Sequence, residues 1–366
     1  MKGVFFFMIK IAFLIDSIHF GGPGNVLRNM IRNIDRNLYD ITVVLLFKNR
    51  NDKAIIDDFK ELGVRIVRFD FKNKLEYSIY GKKKLNNIIK QYKFDIVHSH
   101  GICPDILNAV TVCKNKISTI HCNIFEDYEQ GYGKFKSIFM TRFQIWALKK
   151  FNYSICVSKA VQNSIKSYLK NTAVVCNGIE PIKYEQYPDR SDLSIPQEAI
   201  VYIYIGSLSK RKNIVWLINQ FHNHHLDNEY LLVFGKGALK EECLQNQDEN
   251  IKVMGFLSDA KAYMKISDIY ISASKSEGFA ISVLEALDNG LGLFVSDIPS
   301  HKEVFEMADG LYLGEAFNSD NFGEKIISLR DNKDKISPDK IKEFKQKNLS
   351  AEKMIADYTE IYTNFS

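Results

Sequence analysis

Short apolar runs recur along the whole chain, each followed by a longer stretch whose apolar positions are spaced as on one face of a helix. The first half holds such runs at 11–16, 41–47, 65–69, 96–99, 117–120 and 153–157, and the second at 201–206, 230–234, 251–253, 269–273 and 291–295. Strands without polar alternation are buried on both faces, and helices between them supply the crossovers that parallel pairing needs. The pattern therefore predicts an α/β chain with two parallel sheets, each flanked by helices. A polar stretch at 183–194, rich in Tyr, Asp, Arg and Pro, reads as the linker between them. The stretch 350–365 reads as a helix with Met354, Tyr358, Ile361 and Tyr362 on one face, whose docking partner the pattern does not give.

A chain of 366 residues with 46% apolar content accommodates two domains of about 150 residues. The apolar run 3–15 is broken by Lys10, closed by Asp16 and lacks a small-residue cleavage site. A signal peptide is disfavoured and the run is too short to span a bilayer; Lys10 to Asp16 reads as the first buried strand. Charge divides the chain along the same line as the strands. Residues 1–182 carry 28 Lys and Arg against 15 Asp and Glu, a net +13, whereas 183–366 carry 21 against 29, a net −8. A basic half suits an anionic partner such as a lipid diphosphate or a membrane surface, with a solvated Lys-rich exterior as the competing account. The six cysteines show no C-x-x-C spacing and mostly sit in apolar runs, as reduced cytosolic thiols do.

The most informative segment is Ser274-Lys275-Ser276-Glu277-Gly278-Phe279-Ala280-Ile281-Ser282-Val283-Leu284-Glu285-Ala286. An apolar strand leads into it, so Glu277 is expected on a strand-to-helix turn, with Gly278, Phe279, Ala280 and Ile281 offering backbone N–H groups and Glu285 two turns down the helix. A helix start attracts a phosphate through its unpaired donors and positive dipole end, and a carboxylate beside it accepts hydrogen bonds from sugar hydroxyls. Eight residues of continuous helix rise about 12 Å, more than the roughly 5 to 9.5 Å between paired glycosidase carboxylates. A hydrolase dyad is thereby disfavoured and a nucleotide-sugar favoured; a solvated Glu285 and a helix-start charge at Glu277 form the plainer alternative.

Other segments carry weaker signals. Phe20-Gly21-Gly22-Pro23-Gly24-Asn25 follows the first strand and opens a helix, on the rim where α/β sheets bind ligands; a tight turn explains it equally. Gly206-Ser207-Leu208-Ser209-Lys210-Arg211-Lys212-Asn213 plays the same part in the second half. Its three adjacent cations call for an anion, a diphosphate or merely solvent with counterions. Gly235-Lys236-Gly237 starts a dinucleotide fingerprint, but position 240 is Lys, so the third glycine is missing. His98 with His100, and His222 with His224 and His225, invite a metal reading, yet no acidic residue stands at ligand spacing beside either group. His121 follows a strand on the same rim as Gly22, where a hydrogen bond to a sugar hydroxyl competes with a satisfied core histidine. The helix expected at 134–150 has Phe135, Ile138, Phe139, Phe143 and Trp146 on one side, with Lys134, Lys136, Arg142, Lys149 and Lys150 among the rest. That pattern fits an anionic membrane surface, although packing into the core, with Trp146 inside, is the favoured account.

In their order and spacing these residues resemble the family 4 glycosyltransferases of the GT-B type, nearly end to end. The carrying positions are Gly21-Gly22, His121, Asn177-Gly178-Ile179, Gly206 with Lys212, Gly235 with Gly237, Ser267-Asp268, Glu277 with Glu285, and Ser296-Asp297 with Glu303. The resemblance implies two Rossmann-like domains with parallel sheets facing across a cleft. Residues 1–182 would serve the acceptor side and 183–349 the nucleotide-sugar donor, with a helix at 350–366 crossing back to the first domain. It implies a retaining, metal-independent transfer that uses no cofactor, from a nucleotide-diphosphate donor, a UDP-sugar favoured, to a glycan or polyprenyl-diphosphate-linked acceptor in surface polysaccharide synthesis. An anionic membrane surface would be a further partner and nucleic acid none, with the chain cytoplasmic and peripheral on the inner face of the membrane.

By motif match, Glu277 and His121 would contact the transferred sugar and Glu285 the ribose. Lys212, Gly22 and Gly278 to Ile281 would contact the diphosphate, and Gly206 and Arg211 would complete the donor cradle. One departure stands out, because many relatives carry arginine where this chain has Ser207; Arg211 is the candidate substitute. Two other classes stay open at this level: a nucleotide-sugar epimerase, which would need no acceptor, and a non-catalytic subunit of a transferase complex.

Overall fold

The computed structural model describes residues 8–18, 22–48, 53–181 and 183–365, and the chain divides into two compact units, Met1–Gly178 with Ala351–Ser366, and Ile179–Ser350. In the first, the strands β1 (Ile9–Ile15), β2 (Tyr39–Phe47), β3 (Arg65–Phe71), β4 (Ile96–His100), β5 (Asn115–Ile120), β6 (Tyr153–Cys156) and β7 (Thr172–Val174) lie in the order β3-β2-β1-β4-β5-β6-β7. All neighbours are parallel. The crossovers carry α1 (Gly22–Asn33), α2 (Lys53–Glu61), α3 (Lys74–Tyr92), α4 (Ile102–Ala109), α5 (Ile124–Tyr132), α6 (Lys134–Leu148) and α7 (Lys159–Ile165).

The second unit repeats the plan. Strands β8 (Ile200–Ile205), β9 (Glu229–Phe234), β10 (Ile251–Gly255), β11 (Ile269–Ser272), β12 (Gly292–Ser296) and β13 (Gly314–Phe317) pair in parallel as β10-β9-β8-β11-β12-β13. Its helices are α8 (Ile214–His224), α9 (Lys240–Gln245), α10 (Ile281–Asp288), α11 (Pro299–Met307), α12 (Phe322–Asp331) and α13 (Pro338–Asn348). Both units thus have the Rossmann strand order, in which the direction of winding reverses between the first and fourth strands. The expected strands are all present, and β7 and β13 are added. β7 is three half-buried residues and β13 reads Gly-Glu-Ala-Phe, so neither has an apolar run to announce it.

The stretch 183–194 does not behave as a free linker. Its Arg190 donates to the carbonyls of Ile266, Gln197 and Ala199 and reaches Asp268 at 3.0 Å, pinning a short 3-10 turn, Arg190–Leu193, to the segments that lead into β8 and β11. The chain passes between units at Gly178/Ile179 and again at Ser350/Ala351. Ile179 and Ser350 form a parallel bridge, and the fully buried Lys345 binds the Ile179 carbonyl at 3.0 Å and Asp288 at 2.6 Å. The last helix, α14 (Ala351–Thr363), packs into the first unit against α1. It buries Met354, Tyr358, Ile361 and Tyr362, and the two tyrosine hydroxyls bond Thr119 and His98.

One expectation is reversed at α6. The apolar side of this helix does not enter the core: Phe135, Ile138, Phe139, Phe143 and Trp146 are exposed, while Ser137, Thr141 and Gln144 face inward with Ile145 and Leu148. The neighbouring α4 supplies the reason. Its buried Asp105 needs hydrogen-bond donors, and Gln144 gives one at 2.8 Å.

Gly235 and Gly237 prove to be seats for the preceding loop. The β8 loop runs back over them, with Leu208 donating to the Lys236 carbonyl at 2.9 Å, and a Cβ on Gly237 would lie 2.1 Å from the Leu208 carbonyl oxygen. Backbone on backbone cannot yield as a side chain does. Replacing Gly237 by Ala is therefore expected to cost about 2 kcal/mol or more and to lower the melting temperature of the second unit by roughly 4 °C or more, as followed by circular dichroism.

Candidate active site

In a sheet of this order, ligands bind beyond the carboxyl ends of the strands at the reversal point. In the second unit that point lies between β8 and β11, which are neighbours although 65 residues separate Lys212 from Glu277. The loop after β8 and the turn after β11 therefore meet. Lys212 forms an ion pair with Oε1 of Glu277, and Arg211 reaches Oε2 at 3.2 Å while donating to the Ser276 carbonyl at 2.5 Å. Burial alone would raise the Glu277 pKa; the Lys212 and Arg211 charges and the Lys212 hydrogen bond outweigh it and hold the carboxyl at about 2. The anion that the Lys210-Arg211-Lys212 run called for is thus, in this chain by itself, Glu277. The Ser207 hydroxyl meets that of Ser209 at 3.1 Å and its carbonyl accepts from the Tyr204 hydroxyl at 2.9 Å, while Arg211 brings the second cation to the same carboxylate as Lys212.

Helix α10 starts at Ile281, three residues later than Gly278. Glu285 consequently lies about one turn from the helix start, and the 12 Å rise drawn from eight helical residues does not apply to Glu277 and Glu285. Gly278, Phe279 and Ala280 form the turn, and Gly278 and Phe279 are already engaged within the fold. Among the described residues no side chain caps α10, and its first turn carries no acidic residue, so the positive end of its dipole is open to an anion. Gly206 lies at the mouth of β8, its N–H on the Phe234 carbonyl at 3.0 Å.

Glu285 is buried, not solvated, and pairs with Lys261 at 2.5 Å. Burial pushes its pKa up, and the Lys261 charge and hydrogen bond restrain the rise. It borders a small polar hollow with Tyr184, Tyr187, Asp288 and Asn289. The structure therefore groups Arg211, Lys212 and Glu277, and separately Glu285 with Lys261, on either side of the α10 start. It adds His301 of α11, which sequence reasoning passed over. Its Nδ1 meets the Ser296 carbonyl at 2.8 Å, and its buried Nε2 has no hydrogen-bond partner among the described residues. The nearby Ser296-Asp297 motif was the available signal.

Gly22 and His121 belong to the first unit. Gly22 is the first residue of α1, exposed, with open space where a Cβ would be, while Phe20 and Gly21 lie outside the described residues. His121 lies beyond β5 and shares a 2.9 Å hydrogen bond with His100, whose ring stacks in turn on His98 at 4.6 Å. His98 is held on both sides, by Tyr362 of α14 and by Thr119. Burial lowers the pKa of all three, His98 to about 3 with help from His121, and His121 to about 4. They are neutral hydrogen-bonding groups at neutral pH.

The metal reading of the other histidines changes in one respect. The fold brings Asp248 to His222 and His225, with donor atoms within 4.8 Å of one another, so an acidic partner does stand there. The group is exposed or half-buried at the C-terminal end of α8, the end away from Lys212, and Asp248 already accepts the Asn250 and Ile251 N–H groups. The six cysteines are free thiols, and among the described residues no helix is long and apolar enough to cross a membrane.

The chain belongs to the GT-B glycosyltransferases, with Glycosyltransferase Family 4 matching residues 20–182 and Glycosyl transferases group 1 matching 186–348. It is 26% identical to the O-antigen biosynthesis glycosyltransferase WclY of Escherichia coli, over 97% of this chain and 98% of that one. It is 23% identical to the E. coli UDP-Gal:alpha-D-GlcNAc-diphosphoundecaprenol alpha-1,3-galactosyltransferase, over 68% and 70%. The crystal structure of Anabaena HepE in complex with UDP-glucose shares the fold, with a TM-score of 0.79 and 16% identity over 97% of this chain and 100% of that one.

The histidine stack makes a pH prediction. A histidine whose folded pKa is depressed contributes stability that is full above the unfolded pKa, about 6.5, and is lost as pH falls toward the folded value, because only the unfolded chain takes the proton. Asp105, raised to about 6 by burial, opposes this trend. The difference between wild type and His98→Gln isolates the histidine. In urea unfolding that difference is expected to shrink by about 1.4 kcal/mol per pH unit below pH 6.5.

Proposed function

We propose that the chain transfers a sugar from a UDP-sugar to a glycan or polyprenyl-diphosphate-linked glycan in surface polysaccharide synthesis, with retention of anomeric configuration and without a metal ion. The observation that carries this reading is the uncapped start of α10 beside two cations gathered on Glu277. In the reaction the anomeric carbon exchanges its bond to the diphosphate oxygen for one to an acceptor hydroxyl, and negative charge builds on the departing diphosphate. Preorganised N–H donors and cations lower that barrier.

In this reading Lys212, Arg211 and the N–H groups around Ala280 and Ile281 hold the diphosphate, where a metal ion would otherwise neutralise charge. Glu277 orients Lys212 and accepts hydrogen bonds from the donor sugar, and Glu285 does so from the ribose. Gly206 and Gly22 let backbone approach the ligand, and His121, neutral and fixed by His100, meets the sugar during transfer. UDP as the nucleotide draws support from the likeness to the UDP-Gal galactosyltransferase of E. coli and to HepE, which was crystallised with UDP-glucose. The acceptor class draws support from WclY and the same galactosyltransferase. A lipid-linked acceptor puts the enzyme at an anionic membrane surface on the cytoplasmic side.

Thermal melts against UDP, GDP, ADP and dTDP, with and without EDTA, test the donor. UDP is expected to raise the melting temperature by mass action and to do so equally with the chelator; no response to any nucleotide would sink the reading. Glu277→Gln is expected to lower kcat by roughly 100-fold or more while UDP still stabilises the protein, and full activity in that variant would remove Glu277 from the site.

A further inference from the structure

Helix α6 is amphipathic in the inverted sense. Its inner face is seated by hydrogen bonds of Gln144 to Asp105 and to the Tyr128 hydroxyl, with Ser137 and Thr141 beside them. Its outer face carries Phe135, Ile138, Phe139, Phe143 and Trp146, spaced i, i+3, i+4, i+8 and i+11, and Phe135 and Phe139 are 84% and 65% exposed. Scattered exposed apolar residues need no explanation, but a continuous aromatic stripe on a helix does.

The charges around the stripe name its occupant. Lys134, Lys136, Arg142, Lys149 and Lys150 are all exposed, and from Gly133 to Asn152 the chain has no carboxylate. Arg142 lines a shallow groove with Phe139, Phe143 and Trp146, and Lys150 lies over the Trp146 ring at 3.8 Å. On α3, which also packs on α4 through Tyr77 and the Cys103 carbonyl, Leu75 and Ile79 are exposed as well. A second copy of the chain is a poor occupant, because a two-fold contact would set this cationic stripe against itself. Aromatic side chains ringed by cations match an anionic bilayer, whose acyl boundary takes the rings and whose headgroups take the lysines.

We propose that the outer face of α6 docks the first unit on an anionic lipid surface, lying in the plane of the interface. This deepens the membrane-side reading of the acceptor given above and rests on it for its purpose, but the binding itself needs neither donor nor acceptor.

Flotation of the full chain with phosphatidylcholine vesicles, plain or with about 30 mol % phosphatidylglycerol, tests it. Wild type is expected to float with the anionic vesicles only and to be released by high salt. The triple variant Phe135→Ser, Phe139→Ser, Phe143→Ser, whose side chains are exposed and not part of the fold, is expected to partition roughly tenfold or more weakly. The same variant should keep the wild-type melting temperature and UDP response. Equal flotation of variant and wild type, or no flotation of wild type, would overturn the proposal, as would a concentration-dependent dimer that the triple variant abolishes in the absence of vesicle binding. Anionic flotation lost in the triple variant would stand even where UDP failed to stabilise either protein, so failure of the donor reading is told apart from failure of this one.

Discussion

Parallel pairing is the constraint on which the rest of this molecule depends. Because every strand in a sheet points the same way, every strand-to-helix loop emerges on one rim, and the reversal of winding next to the first strand leaves a gap between two of those loops. In the second unit the gap is flanked by the loops after β8 and β11. The first carries Arg211 and Lys212 and the second Glu277, so opposite charges distant in sequence become partners by topology alone. A carboxylate as enclosed as Glu277 remains charged only because both cations reach it.

The two units repeat one strand order with opposite electrostatics. The second organises its interior around paired charges: Glu229, fully buried, is held by Arg330 on both oxygens, at 2.9 and 2.5 Å, and Lys345 is buried against Asp288. The first unit, although the more basic in composition, buries a stack of neutral imidazoles and a carboxyl, Asp105, held by hydrogen bonds from Ser99 and Gln144 and with its pKa raised by burial to about 6. Its surplus cations are left outside, and on α6 they accompany aromatic rings that the interior has no place for.

The C-terminal helix belongs to the first unit, although the chain reaches it from the second. After α13 the chain leaves the second unit beside the point where it entered, at the Ile179–Ser350 bridge, and α14 closes over β4 and β5 of the first unit through Tyr358 and Tyr362. The tyrosine hydroxyl on His98 connects this helix to the imidazole stack that ends at His121. The geometry of His121 therefore depends on residues more than two hundred positions away in the chain.

The pattern of apolar runs by itself determined the α/β class, the two sheets and nearly all of their strands, because a strand buried on both faces has no alternative composition. The same chain order singled out Lys212, Glu277 and Glu285, since a glycine-marked turn between strand and helix is a local signal. What lies beyond local signals was decided only in three dimensions. The start of α10 at Ile281 depends on how the turn after β11 packs, not on the glycine that precedes it. The outward aromatic face of α6 depends on what α4 offers, because a buried Asp105 required polar partners and Gln144 turned inward to supply one. His301, Lys261 and Asp248 gained their neighbours from other elements, and periodicity carries no information about which elements meet. Composition and period record what each residue prefers to touch; the register of the sheets decides what it finds there.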